Sequence, residues 1–207
     1  MLASQASQEV YDITLTSTIP YLQNRFRIEE HDESKKLTAG KKIYDPKVEA
    51  RKAMYVDPYE GNVFMPSEHI LMATVNAGAA FKMKGNKTYK SVLPSIIDVQ
   101  PERIPLLDEN GVVLDTWQEI DARPVVVQRA RVVRYRPKFI SWTAKFQIHL
   151  LNATILTAYE IKEFIEYAGR MIGIGDYRPR FGRFYVSSFK VGGQEELIEQ
   201  ELVTKTA

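Results

Sequence analysis

The segment 157–190, TAYEIKEFIEYAGRMIGIGDYRPRFGRFYVSSFK, constrains the fold most, because it predicts a helix, a loop and a strand in succession. Thr157 and Glu160 have the spacing of a capping box, which satisfies free N–H groups where a helix begins. Gly173 and Gly175 end the helix, since glycine tolerates positive φ, and Pro179 prevents it from resuming. Apolar residues at three- and four-residue steps give it one buried face: Ile161, Phe164, Ile165, Ala168 and Ile172.

The loop after this helix, DYRPRFGRF, alternates cations with aromatic rings and is open to two interpretations. In the first, it is an ordinary connection whose arginines are solvated. In the second, its backbone and guanidinium groups hold phosphates and its rings stack bases, as single-stranded nucleic acid requires. In the second interpretation Arg178, Arg180 and Arg183 bind phosphates, Gly173, Gly175 and Gly182 let backbone approach, and Tyr177 and Phe181 stack bases.

The distribution of charge favours a polyanionic ligand more than the net charge does. The formal net charge of the chain is +2. Residues 122–190 contain thirteen Lys and Arg and four Asp and Glu, a net charge of +9, so the rest of the chain carries −7. Local basic fields attract polyanions, whatever the overall balance. Four arginines of the predicted strand PVVVQRARVVRYRPKF extend the basic track, and Arg25 follows the first strand. The four are Arg129, Arg131, Arg134 and Arg136.

The 207 residues predict one α+β domain with a buried core. Period-two alternation predicts a strand from Tyr11 and two neighbouring strands across 124–150, and PSEHILMATVNAGAAF predicts the first helix. With the segment 157–190, the order βαββαβ predicts a ferredoxin-like antiparallel sheet with helices on one face. Two irregular stretches are predicted insertions: about 28–62, with one short helix from Pro46 to Tyr55, and about 84–120, where an Asn110-Gly111 turn separates two short strands. Residues 192–207 are predicted to form a flexible acidic tail.

The arginine parity within 124–139 is mixed. Arg129 and Arg131 share one parity, and Arg134 and Arg136 the other. This predicts either a β-bulge near Val132 and Val133 or a strand that extends beyond the core.

These residues resemble the RAMP superfamily, the ferredoxin-like RNA-binding subunits of CRISPR effector complexes. DITLTSTIPYLQNRF is similar to the first strand of the backbone subunits, MPSEHILMATVNAGAAF to the first helix, and IGIGDYRPRFGRF to the C-terminal glycine-rich loop. The chain also resembles small stand-alone proteins of phages and mobile elements. The resemblance implies a protein that binds RNA or single-stranded DNA through this loop and assembles along its ligand, as a homo-oligomer or in a multi-subunit complex.

The sequence favours binding over catalysis. It contains no cysteine, no cluster of His and carboxylates with metal-ligand spacing, and no nucleophile motif, so neither cofactor nor metal is expected. A metal-independent ribonuclease is a minor alternative, in which His69 with Asp45 or Asp57 performs acid–base chemistry. A structural assembly protein of a phage or mobile element is the main alternative. With no signal peptide or membrane span predicted, the cytoplasm of a prokaryotic host is expected.

Overall fold

The computed structural model describes residues 8–26, 45–127 and 130–192. Arg129, His31, the predicted tail after residue 192 and the first part of the predicted insertion at 28–62 lie outside these ranges. The elements within them are β1 (Glu9–Ser17), β2 (Tyr21–Leu22), α1 (Pro46–Lys52), β3 (Phe64–Pro66), α2 (Ser67–Ala77), α3 (Leu93–Ile96), β4 (Ile97–Gln100), β5 (Arg103–Leu107), β6 (Glu119–Val127), β7 (Ala130–Phe139), β8 (Thr143–Leu150), α4 (Ala158–Tyr167) and β9 (Phe184–Val191).

A central antiparallel sheet has the order β3-β5-β8-β1-β9, and β4 also pairs with β8. Its core frame is β1, α2, β4 with β5, β8, α4 and β9, which is the predicted ferredoxin-like order. The fold prediction is therefore confirmed as α+β with antiparallel sheets. Among the described residues, no helix combines the length and the apolar character needed to cross a bilayer.

The prediction of the middle strands was wrong in one respect. The sequence pattern predicts residues 124–139 as the neighbour of β8 and residues 84–120 as an irregular insertion. In the structure β4 and β5, inside that predicted insertion, pair with β8, through Val99 with Ile148 and Leu106 with Ala144. Both strands are short and lie among prolines, so neither has enough residues for a clear period-two signal.

Residues 119–139 instead form a β-hairpin of β6 and β7, which makes a second sheet with β2. The register runs without a shift from Glu119 opposite Lys138 to Val127 opposite Ala130. The predicted bulge is therefore absent from this ladder. The strand instead extends beyond the core, which was the other predicted alternative. Arginines of both parities are therefore compatible with the strand. Helix α1 packs on this hairpin.

The alternation of β1 and β8 determines which sheet face is covered. Tyr11, Ile13 and Leu15 of β1 are buried, and the polar residues between them face away. On the buried side α2 and α4 complete one continuous core that includes Trp142 and Phe164. The capping box of α4 is present, and a turn of π-helix, Ala168–Ile172, continues α4 toward the loop.

Candidate functional site

The loop 173–183 is attached by its backbone to the connection between β1 and β2. The N–H groups of Thr18 and Ile19 donate to the Arg183 carbonyl, at 2.9 and 3.2 Å. The Gly182 N–H donates to Pro20 at 2.8 Å, and the Asp176 N–H to Leu22 at 2.9 Å. Four bonds to a segment more than 150 residues earlier hold the loop against the first strand, so its shape does not depend on its own sequence alone.

Two glycines are required by the way this loop folds on itself and on β2. Gly182 has φ +73°, and a Cβ there would lie 1.9 Å from the Ile174 carbonyl oxygen. Gly175 also has φ +73°, and its Cβ would lie 2.3 Å from the Tyr21 ring. Protein atoms therefore occupy the space beside both glycines, which accounts for them without a ligand. Gly173, also at positive φ, is closed off by the Phe181 carbonyl.

A partly buried ion pair clamps the loop to the hairpin. The Arg136 side chain is only 5% exposed, and its Nε donates to Asp176 of the loop at 2.5 Å. Asp121 of β6 lies on the other side of the same guanidinium, with Oδ2 at 4.0 Å from one Nη. Arg136 was predicted to extend a surface track of cations. The structure instead places it inside the packing, where it couples the loop to β6 and β7.

Arg123 is a residue of this site that the sequence pattern did not reveal. Its Nε donates to Asp121 at 2.7 Å, and its guanidinium lies 4.8 Å from the centre of the Phe181 ring and 5.5 Å from that of Tyr177. Arg123 stands directly opposite Arg134 in the hairpin. Only the hairpin register shows that Arg123 lies opposite Arg134, and the sequence pattern did not predict that register.

The two rings predicted to stack bases differ in accessibility. Tyr177 is 38% exposed and has φ +58°, and the guanidinium groups of Arg136 and Arg123 lie 4.9 and 5.5 Å from its ring centre. Phe181 is 8% exposed and is covered by Arg123. Tyr177 thus retains accessible ring surface, whereas Phe181 supports the loop from within.

The three loop arginines also separate into two groups. Arg178 and Arg180 are exposed, and no carboxylate among the described residues lies within 4.0 Å of either guanidinium. Arg183 is partly buried, and its Nε donates to the Pro179 carbonyl at 2.8 Å. The loop therefore presents two cations outward and uses the third to brace its own bend.

A histidine of the first turn of α2 lies close to this loop. The Tyr21 hydroxyl and His69 Nδ1 are 2.7 Å apart, and the Tyr55 and His69 ring centres are 5.7 Å apart in an edge-on contact. Burial, with a smaller contribution from the Arg178 guanidinium, lowers the pKa of His69 to about 4. His69 is therefore neutral at pH 7. The positive charge of Arg25 acts on Tyr55, so Arg25 and Arg178 both lie near this corner.

The hairpin carries the remaining predicted cations. Arg131 and Arg134 are exposed on β7, and they face opposite sides of the hairpin, because their positions differ in parity. Arg129 lies outside the described residues. The structure thus brings Arg178 and Arg25 toward one corner, with Arg180 exposed on the same loop, and places the hairpin arginines on neighbouring surfaces.

Asp45 and Asp57, the carboxylates considered for acid–base chemistry with His69, are engaged in structural contacts, and so is a second histidine, His149. Asp45 caps α1 by accepting from Lys47 N at 2.8 Å, and Asp57 holds a turn and pairs with Arg103 at 2.9 Å. His149 lies 3.4 Å from Gln147 on the polar face of the sheet. Within the described ranges no three His, Asp or Glu side chains are grouped in a way that could hold a metal ion.

The fold defines a ferredoxin-like domain with an added hairpin sheet. No family model matches the chain, and no curated protein does. Among solved structures, the chain is similar to one in the cryo-EM structure of the Type III-B Cmr-beta bound to cognate target RNA, with a TM-score of 0.54 and 11% identity. The match covers 89% of this chain and 60% of that one. At this identity the likeness concerns the fold alone, and it agrees with the α+β, ferredoxin-like fold predicted from the sequence.

Proposed function

We propose that the protein is a non-enzymatic RNA-binding or single-strand-binding protein that assembles along its ligand. The observation that carries this proposal is the contrast within the loop 173–183. Its backbone is fixed to the segment from Thr18 to Leu22 and its base is clamped by Arg136, yet Arg178 and Arg180 are exposed and unpaired among the described residues. Preorganised cations beside an accessible ring are suited to phosphate and base, respectively.

The Type III-B Cmr-beta, one solved structure with a chain similar to this one, is bound to cognate target RNA. Since that likeness concerns the fold, it supports the ligand class only together with the loop. Arg178 and Arg180 are assigned to phosphates and Tyr177 to stacking. The exposed Arg134, which has the parity of Arg136, is assigned to a second contact along the same nucleic-acid strand, whereas Arg131 faces the other side of the hairpin. Arg136, Arg123 and the three glycines keep the loop in shape.

The test removes the two exposed loop cations. Arg178→Ala/Arg180→Ala is expected to weaken binding of single-stranded RNA and to lower the salt slope, by about 0.7 for each phosphate that the variant no longer neutralises. Lys84→Ala/Lys87→Ala is the matched control, because it removes the same charge from exposed residues beside the helical layer. Fluorescence anisotropy at several salt concentrations measures both. Equal affinity and slope in the loop variant and wild type would refute the proposal.

An assembly function is the second candidate, because the hairpin exposes apolar residues between its cations. Val126 and Val133 are exposed beside Arg131, and the rest of the chain outside 122–190 carries −7. Analytical ultracentrifugation with and without oligonucleotide distinguishes the two functions. Polymers that form without ligand and dissolve in salt favour assembly, whereas polymers that need ligand favour binding.

The same preparations test the ribonuclease alternative. Labelled RNA incubated in chelator is expected to remain intact, since His69 is too weakly basic near neutral pH to act as an efficient proton acceptor. Cleavage that disappears in His69→Ala would establish the alternative.

A further inference from the structure

The turn between α1 and β3 holds one tyrosine far out in solvent on a rigid backbone. Tyr59 is 89% exposed, and no other large apolar or aromatic side chain in the described ranges is as exposed. The Asp57 carboxylate accepts from the N–H groups of Tyr59 and Glu60, at 2.8 and 3.1 Å. The Asp57 N–H donates to Asn62 at 2.8 Å, and the Gly61 N–H to Asp57 at 2.9 Å. Four bonds therefore fix the backbone that presents the ring.

An arginine of β5 lies beside this ring. The Arg103 guanidinium is 6.0 Å from the centre of the Tyr59 ring and 5.7 Å from that of Phe64, so it is within cation–π distance of both. Asp57 holds it there with a bond of 2.9 Å between Oδ2 and Nη1. Tyr59 is thus supported on one side and open on the other, which is the geometry of a stacking platform.

The platform is connected to the loop by further aromatic contacts. The Phe64 and Tyr55 ring centres are 5.7 Å apart, and the Tyr55 and His69 centres are also 5.7 Å apart. His69 in turn lies within electrostatic reach of Arg178. Partly exposed rings and cations therefore follow one another from the loop, past the first turn of α2, to Tyr59.

We propose that Tyr59, supported by Arg103, is a second base-stacking site at the far end of a strand path that begins at Arg178. This proposal rests on the proposed function and extends its ligand over the described part of the long insertion. Arg103 is already paired with Asp57, so the site offers stacking and little net positive charge. A nucleobase suits such a site, because stacking needs a free π-face and tolerates any base.

The first experiment measures the affinity of homopolymeric single-stranded RNA as its length increases from about 4 to 16 nucleotides. In wild type the affinity is expected to rise until the ligand reaches Tyr59. Tyr59→Ala should stop that rise early and weaken binding of long ligands by about 5- to 150-fold, with an unchanged salt slope. Tyr59→Phe keeps the ring and should bind like wild type. Tyr159→Ala removes an exposed tyrosine from α4 and is the control.

A second measurement reports stacking directly. The fluorescence of Tyr59→Trp, relative to wild type, is expected to be quenched by long ligands and not by the shortest, whereas that of Tyr159→Trp stays constant. The melting temperature of Tyr59→Ala should match wild type, because the ring covers little of the core.

The possible results separate this proposal from the one on which it rests. If Arg178→Ala/Arg180→Ala loses binding while Tyr59→Ala keeps wild-type affinity at every ligand length, the second stacking site is overturned and the proposed function stands. Wild-type binding by the arginine variant overturns the proposed function itself. If Tyr59→Ala alters sedimentation without RNA and leaves RNA affinity unchanged, the turn binds protein, and the stacking site is likewise rejected.

Discussion

Replacing Gly182 by Ala tests whether the loop is built as described. The new Cβ would lie 1.9 Å from the Ile174 carbonyl oxygen and 2.8 Å from the Ile174 nitrogen, at φ +73°. Positive φ costs an alanine about 1–2 kcal/mol. Forcing a methyl group into occupied space costs about 1–3 kcal/mol more. We therefore expect Gly182→Ala to lower the free energy of unfolding by about 2–5 kcal/mol.

Two other glycines separate these contributions. Gly111 has φ +80° with nothing within 4 Å of its Cβ position, so Gly111→Ala isolates the backbone strain, at about 1–2 kcal/mol. Gly169 has no positive φ, but its Cβ would lie 2.3 Å from the Phe184 carbonyl oxygen, so Gly169→Ala isolates the overlap, at about 1–3 kcal/mol. Gly182→Ala should be close to their sum.

Thermal and urea unfolding measure the three variants side by side. For a chain of this length each kcal/mol corresponds to about 2–4 °C, so Gly182→Ala should melt about 4–20 °C below wild type. Its RNA affinity should also fall, because Arg178 and Arg180 move with the loop. If Gly182→Ala melts like Gly111→Ala, the Ile174 carbonyl does not fill the space beside Gly182, and close packing is not what requires glycine there.

Two further predictions concern the charged groups around the loop. The pKa of His69 falls from 6.5 to about 4 on folding, so between these pH values the unfolded chain binds a proton that the native protein does not. The free energy of unfolding therefore has its full value above pH 6.5, and it falls by at most about 3 kcal/mol as the pH falls toward 4. Urea unfolding at pH 4.5 and 7.5 should show a smaller difference for His69→Phe than for wild type, and equal differences would contradict the assignment. Arg136→Met leaves Asp176 without its cationic partner and should cost about 3 kcal/mol, of which the double variant Arg136→Met/Asp176→Asn recovers part. If the double variant is no more stable than Arg136→Met, the ion pair is not the clamp.

Features with a local physical cause could be predicted from the sequence. The capping box at Thr157 follows from two side chains three residues apart, and the structure contains it. The buried alternation of β1 follows from the pleat of a strand, which sends neighbouring side chains to opposite faces. The choice between a bulge and an extended strand at 124–139 could not be made, because both place arginines of mixed parity in the same stretch.

The middle strand of the sheet depended on partners distant in the sequence. β6 and β7 have the stronger strand pattern, yet β8 pairs with the short β4 and β5. Pairing depends on which backbones meet once the helices have packed, and strand propensity has only a weak influence on that.

Local spacings were enough to define the helix, the glycine loop and the strand between residues 157 and 190, because each of their signals spans only a few residues. The roles of the arginines in this basic third came from tertiary contacts. Arg136 and Arg178 are the same residue type in the sequence. The Asp176 carboxylate, 40 residues along the chain, pairs with the buried Arg136, whereas Arg178 remains exposed. Tyr59 differs in part, because a local turn fixed by Asp57 presents its ring, and only the Arg103 guanidinium comes to it from a distant strand. A charged or aromatic side chain acquires its role from the neighbours that folding brings to it, and those neighbours are distant in the sequence.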